Sequence, residues 1–231
     1  MNSFKIWLKS FRPQPMIVAP SELWWSPVGA GLGLLVSYLM SLFFIGESNP
    51  WFIAPMGASA ILLFAAPASP LAQPWSIIGG NTIAALIAVI CQLTLGPTGL
   101  TASIAVAITI GLMMRLRCLH PPGGAVALTA VLGGPAITKL GFNFVFAPVL
   151  LNSTILLIMA LLFNKAIRRN YPHHTTVKPT ILVQDPTPIT HEDVLAALYQ
   201  NKEYLDIDEG DIESILNAAE VISKNRHQKA N

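Results

Sequence analysis

Side chains capable of chemistry gather in one stretch, Arg115-Leu116-Arg117-Cys118-Leu119-His120-Pro121-Pro122-Gly123-Gly124-Ala125. It separates two long apolar runs and holds the only histidine before residue 173. Pro122 fits the first turn of a helix, where its missing N–H costs nothing, and small residues follow it. A helix starting there would aim unpaired backbone N–H groups at whatever precedes it, an arrangement suited to an anion. His120 is the one group nearby that can carry a proton near neutral pH, which suits anion–proton symport or an anion gate. Plainer roles compete at each position. His120 also fits an interfacial hydrogen-bonding residue, Arg115 and Arg117 fit topology anchors, and Pro121-Pro122 fits a kink.

A second stretch shares the pattern. Pro55-Met56-Gly57-Ala58-Ser59-Ala60 matches Pro122-Gly123-Gly124-Ala125-Val126-Ala127 at four of six positions, 67 residues apart. Each opens a short apolar segment that ends in proline, at Pro67 and Pro135. A helix of about 11 residues rises roughly 17 Å, about half of a ~30 Å hydrocarbon core. Three segments before the junction and three after would invert the second copy, a recurring transporter plan with broken helices meeting near the midplane. Chance similarity in a chain so rich in Pro, Gly and Ala is the competing account. Donors without carboxylates suit a small anion, and small residues let the backbone approach closely. The candidate binding residues are Pro55, Gly57, Ala58, Ser59, Asn81, His120, Pro121, Pro122, Gly123, Gly124, Ala125, Thr129 and Asn152. Gly and Ala at these sites also fit close helix packing, and Asn81 and Asn152 fit interhelical hydrogen bonds.

The elements that must position these residues are membrane segments. Of 231 residues 53% are hydrophobic and only 11% charged, and residues 48–114 contain no Asp, Glu, Lys, Arg or His. From Cys118 to Asn164 the only acidic or basic side chains are His120 and Lys139. Charge-free runs of this length predict an all-α, polytopic transmembrane bundle. Six segments are expected, four full and two short or re-entrant: 25–45, 51–66, 75–95, 100–114, 123–134 and 142–164. Residues 1–24 read as a basic interfacial segment, 25–169 as the transmembrane domain, 170–189 as a linker and 190–231 as a cytoplasmic helical tail. Lys5, Lys9, Arg12, Arg115, Arg117, Lys165, Arg168 and Arg169 fall on one side of such a bundle. The positive-inside rule then makes both termini cytoplasmic.

Several classes of function fit poorly. No carboxylate lies between Glu47 and Asp185, where a cation-coupled carrier would place one. Cys118 with His120 makes no zinc site without further ligands, and a single histidine serves neither a metallohydrolase nor a serine hydrolase well. No enzyme, cofactor, metal or nucleic-acid partner is expected. The expected partners are the bilayer, a small inorganic anion and further copies of the chain. A scaffold whose tail helices, residues 190–224, recruit a soluble partner is the alternative to transport.

Leu119-His120-Pro121-Pro122-Gly123-Gly124-Ala125, with Ala54-Pro-Met-Gly-Ala-Ser-Ala60 and Ser69-Pro-Leu-Ala-Gln-Pro-Trp75, resembles the HPP family of integral membrane proteins over about residues 20–170. The resemblance implies four transmembrane helices, which agrees with six segments if those at Gly57 and Gly123 are partial. A bacterial inner-membrane location is expected. Association of some plant and cyanobacterial members with nitrite transport makes nitrite the implied anion. Longer members carry nucleotide-sensing CBS domains after a linker similar to residues 190–219.

Overall fold

Prolines set the helix starts. Pro55, Pro74, Pro122 and Pro135 each stand in the first turn of a helix, where the absent N–H leaves no bond unmade. The computed structural model describes residues 20–45 and 54–173, with Trp7, Leu8, Phe11, Ile212 and Leu216. Most of the expected interfacial segment, the linker beyond residue 173 and the tail helices therefore lie outside the described residues. Two compact units divide the chain. In the one formed by residues 1–20 and 179–231, the rings of Trp7 and Phe11 meet edge to face at 4.8 Å.

The other unit, residues 21–178, is the helical bundle. Its helices are α1 (Glu22–Ile45), α2 (Pro55–Ala65), α3 (Pro74–Leu95), α4 (Gly99–Arg115), α5 (Pro122–Leu132), the single turn α6 (Pro135–Thr138) and α7 (Leu151–Ala166). No strand occurs among the described residues. α1, α3 and the segment Val145–Ala166 are long and apolar enough to cross a membrane. The 17 residues of α4 rise about 25 Å, at the short end of the spanning range. α2 and α5 have 11 residues each and reach about half-way. Exposed Leu, Ile and Phe side chains cover the outer faces, as lipid contact requires.

The last span differs from the expected continuous helix over 142–164. It enters through a wide turn, Val145–Leu150, broken at Ala147 (φ −139°, ψ 109°). Ala147 precedes Pro148, whose ring pushes the preceding residue out of the helical region. Regular helix resumes at Leu151.

Two helices end by the same device. At the end of α4, Arg117 adopts φ 55°, while its N–H bonds to Met114 O and that of Cys118 to Met113 O. At the end of α7, Arg168 adopts φ 61°, with its N–H on Lys165 O and that of Arg169 on Asn164 O. This is the Schellman stop, with arginine where glycine is usual. The left-handed backbone costs roughly 1 kcal/mol at each site, and a cation there suits the negative helix end.

Contacts fix the helix directions. The Arg169 guanidinium, just beyond α7, reaches Glu22 and Ser26 at the start of α1 and the Phe64 carbonyl at the end of α2. Trp75 at the start of α3 donates to Leu116 O at the end of α4, and Tyr171 donates to Ala72 O beside α3. The starts of α1 and α3 and the ends of α2, α4 and α7 thus share one face.

The repeat read from the motifs has a structural counterpart. Residues 55–60 and 122–127 carry the same burial sequence, position by position: two buried, one half-buried, one exposed, two buried. The residues before them, Ala54 and Pro121, have nearly identical backbone angles (−52°, −36° and −52°, −38°). α1 and α2 pack on each other and on α7, whereas α4 and α5 pack on each other and on α3. Each half therefore lends its third helix to the other. The buried apolar residues divide accordingly: Leu63, Phe64, Leu156 and Ala160 in one cluster, and Ala84, Ala88, Ala105, Val126 and Ala130 among the residues of the other.

Lipid offers no hydrophobic drive for helix association, so close van der Waals contact must supply it. Gly29 and Gly33 on α1 make the notch that takes the Phe64 ring, and a Cβ on either would lie within 2.6–2.8 Å of it. Phe163 closes on Phe64 edge to face at 5.6 Å.

Candidate functional site

The Arg117 stop folds the chain back over α3. Residues 118–120 then lie against Gly79 and Gly80, where a Cβ would meet the Cys118 Cβ at 3.3 Å and the His120 Cβ at 2.6 Å. Two adjacent glycines in α3 are the seat that lets His120 sink into the core, and it is fully buried there.

Both imidazole nitrogens are engaged. Nδ1 lies 2.9 Å from the Leu71 carbonyl, which can only accept, so Nδ1 carries the proton and donates. Nε2 lies 2.9 Å from the Ser59 hydroxyl, which donates to it when the ring is neutral. In the neutral form this contact pair fixes the tautomer with Nδ1 protonated. Leu71 is held by a short 3₁₀ turn, Pro70–Ala72, which Ser69 caps by accepting from Leu71 N. Gln73 donates to the Pro67 and Ser69 carbonyls, and Ser76 donates to Pro70 O. The three motifs singled out in the sequence meet here: Ser59 from the first, Leu71 O from the second and His120 from the third. Ser59 and Gly80 each lie six residues, about 9 Å, from the shared face, so the junction is well inside the bundle.

A second polar group runs between α1, α3 and α7. Asn81 Nδ2 donates to Ser153 Oγ at 3.0 Å, and Ser153 Oγ points at Met56 Sδ at 4.0 Å. Ser41 donates to Asn152 Oδ1 at 2.7 Å. Ser41, Asn81, Asn152 and Ser153 are all buried. Buried side-chain oxygens with no hydrogen-bond partner among the described residues include Ser37 Oγ, Asn81 Oδ1, Thr82 Oγ1 and Thr109 Oγ1, with Asn164 Oδ1 near the end of α7. Sequence reading singled out Asn81 and Asn152 but passed over Ser37, Ser41, Thr82, Thr109 and Ser153. Serine and threonine are common in membrane helices, and only tertiary packing marks these as buried.

The candidate residues do not all converge. Pro55, Ser59, Asn81, His120, Pro122, Gly123 and Asn152 are buried. Ala58, Pro121 and Ala125 are exposed, Gly57 and Gly124 are half-buried with open space where a Cβ would stand, and Thr129 donates to Ala125 O within its own helix. The expected unpaired N–H groups are not present at the helix starts. Gly57 N bonds to Ala54 O, Gly123 N to His120 O and Gly124 N to Pro121 O, all at 2.9–3.0 Å. Ala54 and Pro121 already have helical angles, so a tight first turn consumes these donors. Arg115 and Arg117 are exposed.

At the rim, Arg169 ties α1 and α2 to the end of α7, at 2.8 Å to Phe64 O, 3.1 Å to Ser26 Oγ and 3.3 Å to Glu22. Burial lowers its pKa and the Glu22 carboxylate opposes that shift. Burial pushes the Tyr171 phenol up. Among the described residues no three His, Cys, Asp or Glu side chains converge as a metal ion would require.

Residues 15–172 match the transmembrane region of the HPP family. Two transmembrane proteins of Dictyostelium discoideum are each 34% identical to this chain, over 176 and 175 residues. Each match covers 73% of this chain, and 61% and 56% of the respective relatives. No solved structure matches the chain.

Proposed function

The chain belongs to the HPP family of integral membrane proteins, and on that premise we propose that it passes a small monovalent anion across the bilayer, with nitrite the first candidate. The observation that carries this reading is the buried polar seam beside two half-length helices. Hydroxyl and amide groups sealed in a bilayer interior cost several kcal/mol each when unpaired. Ser37, Asn81, Thr82 and Thr109 nonetheless keep oxygens with no partner among the described residues. A polar visitor, solute with its water, would satisfy them. The hydroxyls can donate to an anion, and no carboxylate lies between Glu47 and Asp185 to repel one.

In this reading no bond is made or broken, and the Ser59–His120 contact is the gate between α2 and α5. Protonating Nε2 would reverse the contact, with Ser59 Oγ now accepting, and would place a cation in the gate, which links opening to acid. Nitrite as the anion rests on the family's transport-associated members. The basic helix ends gather on one face, which supports cytoplasmic termini under the positive-inside rule, in a bacterial plasma membrane. The open Gly57-Ala58 and Gly124-Ala125 steps would let a second copy approach closely.

Uptake into proteoliposomes tests the proposal, comparing nitrite, nitrate, formate and chloride at two internal pH values. Saturable nitrite uptake that follows the pH gradient is expected. His120→Ala should lower it by about tenfold, the scale of a lost buried hydrogen-bond pair. Folded protein giving no flux above empty liposomes for any of the four anions would overturn transport.

A further inference from the structure

We propose that the end of α7 binds the headgroup of an anionic phospholipid. A cleft of about 550 Å³ opens there, lined by Leu161, Leu162, Lys165, Arg168 and Arg169 and by Asn170 and Tyr171 beyond them. The three cations are not equivalent. Arg169 is neutralised by Glu22 and spent on the Phe64 carbonyl and Ser26. Lys165 and Arg168 are exposed and have no acidic partner among the described residues. Two cations without an acidic partner therefore share a cleft with two leucines.

That combination selects an amphiphile. A free inorganic anion would use the cations and gain nothing from Leu161 or from Leu162, which is 59% exposed. A phosphodiester headgroup would pair with Lys165 and Arg168 while its acyl chain runs along the leucines. The backbone agrees. Arg168 occupies the left-handed position of the helix stop, where glycine would be unstrained, and this turn brings its cation into the cleft beside Lys165. The site lies where α7 ends, and a spanning helix carries its basic end to the depth of lipid phosphates.

Lipid retention on the purified full chain tests this, in mixed micelles of dodecyl maltoside with phosphatidylglycerol or phosphatidylcholine. Native mass spectrometry would count bound lipid, with inorganic phosphate added as competitor. Phosphatidylglycerol should be retained over phosphatidylcholine and resist phosphate. Lys165→Gln and Arg168→Gln should each weaken retention about fivefold, the effect of one surface cation. Arg168→Gly separates charge from fold: it relieves the helix stop, so thermal stability should hold or rise while retention falls. Equal retention of both lipids, unchanged retention in the double Gln variant, or displacement by phosphate would each overturn the lipid assignment.

Discussion

Arg169→Ala is expected to destabilise the bundle by about 3 kcal/mol, the cost of opening a largely buried ion pair. The pair is well shielded, with side-chain exposures of 13% for Arg169 and 17% for Glu22. The substitution strands the Glu22 carboxylate and removes the donor from the Phe64 carbonyl at the open end of α2. Short helices have little else to hold their ends, and α2 has only 11 residues. Arg169→Lys keeps the charge but cannot serve Glu22, Ser26 and Phe64 O together, because a single ammonium lacks the planar fork. Its loss should fall between wild type and alanine. Glu22→Gln leaves the buried cation unpaired and should cost about as much as the lysine variant. Unfolding by denaturing detergent, followed by circular dichroism, would order the variants. An Arg169→Ala protein within about 0.5 kcal/mol of wild type, the range of an ordinary surface substitution, would refute its role as the tie between three helices.

Gly80→Val should cost about 2–3 kcal/mol through overpacking and should also disconnect His120. A Cβ at Gly80 would lie 2.8 Å from the Cys118 carbonyl oxygen and 2.6 Å from the His120 Cβ. Backbone, rather than the tip of a flexible side chain, has to move. The displaced loop carries the imidazole away from Ser59 and Leu71 O. Nitrogen NMR of labelled histidine would report this directly, as loss of the single neutral tautomer with Nδ1 protonated. Gly124→Ala is the control. Its Cβ would enter open space, and the change should be neutral or stabilise by about 0.5 kcal/mol through the unfolded chain. Equal stability of the Gly80→Val and Gly124→Ala variants would contradict the seat that Gly79-Gly80 provides.

Helix starts were legible because proline and turn residues act locally. Pro74 and Pro122 mark the starts of α3 and α5, and the Gly96-Pro97-Thr98-Gly99 turn separates α3 from α4 with Gly96 at φ 79° and Thr98 accepting from Thr101 N. The half-length of α2 and α5 followed from the proline spacing alone. The partners of His120 were not legible, since Ser59 is 61 residues away and Leu71 is 49. Nor was the role of Arg169, which in sequence looks like any cation at a membrane exit. Burial alone separates it from its exposed neighbour Arg168. The motif residues were found, but not their facing. Along Gly57-Ala58-Ser59 the hydroxyl turns inward while the preceding step faces out, and a helix of period 3.6 divides any six-residue motif this way.

The exchange of third helices also sets an order of assembly. Synthesis delivers α1 and α2 first, yet part of the surface that covers them belongs to α7. About 85 residues separate the end of α2 from the start of α7. Through that interval Leu63 and Phe64, both fully buried in the finished bundle, have α1 as a neighbour but neither Leu156 nor Phe163. α3 finds most of its packing partners in α4 and α5, the two helices that follow it directly, and waits for α7 at Asn81. A nascent N-terminal half is therefore the vulnerable species, and a quality-control protease should find it there. Closure comes when Arg169 emerges and clamps Glu22 and Phe64, so the last piece of the bundle to be made fastens the first.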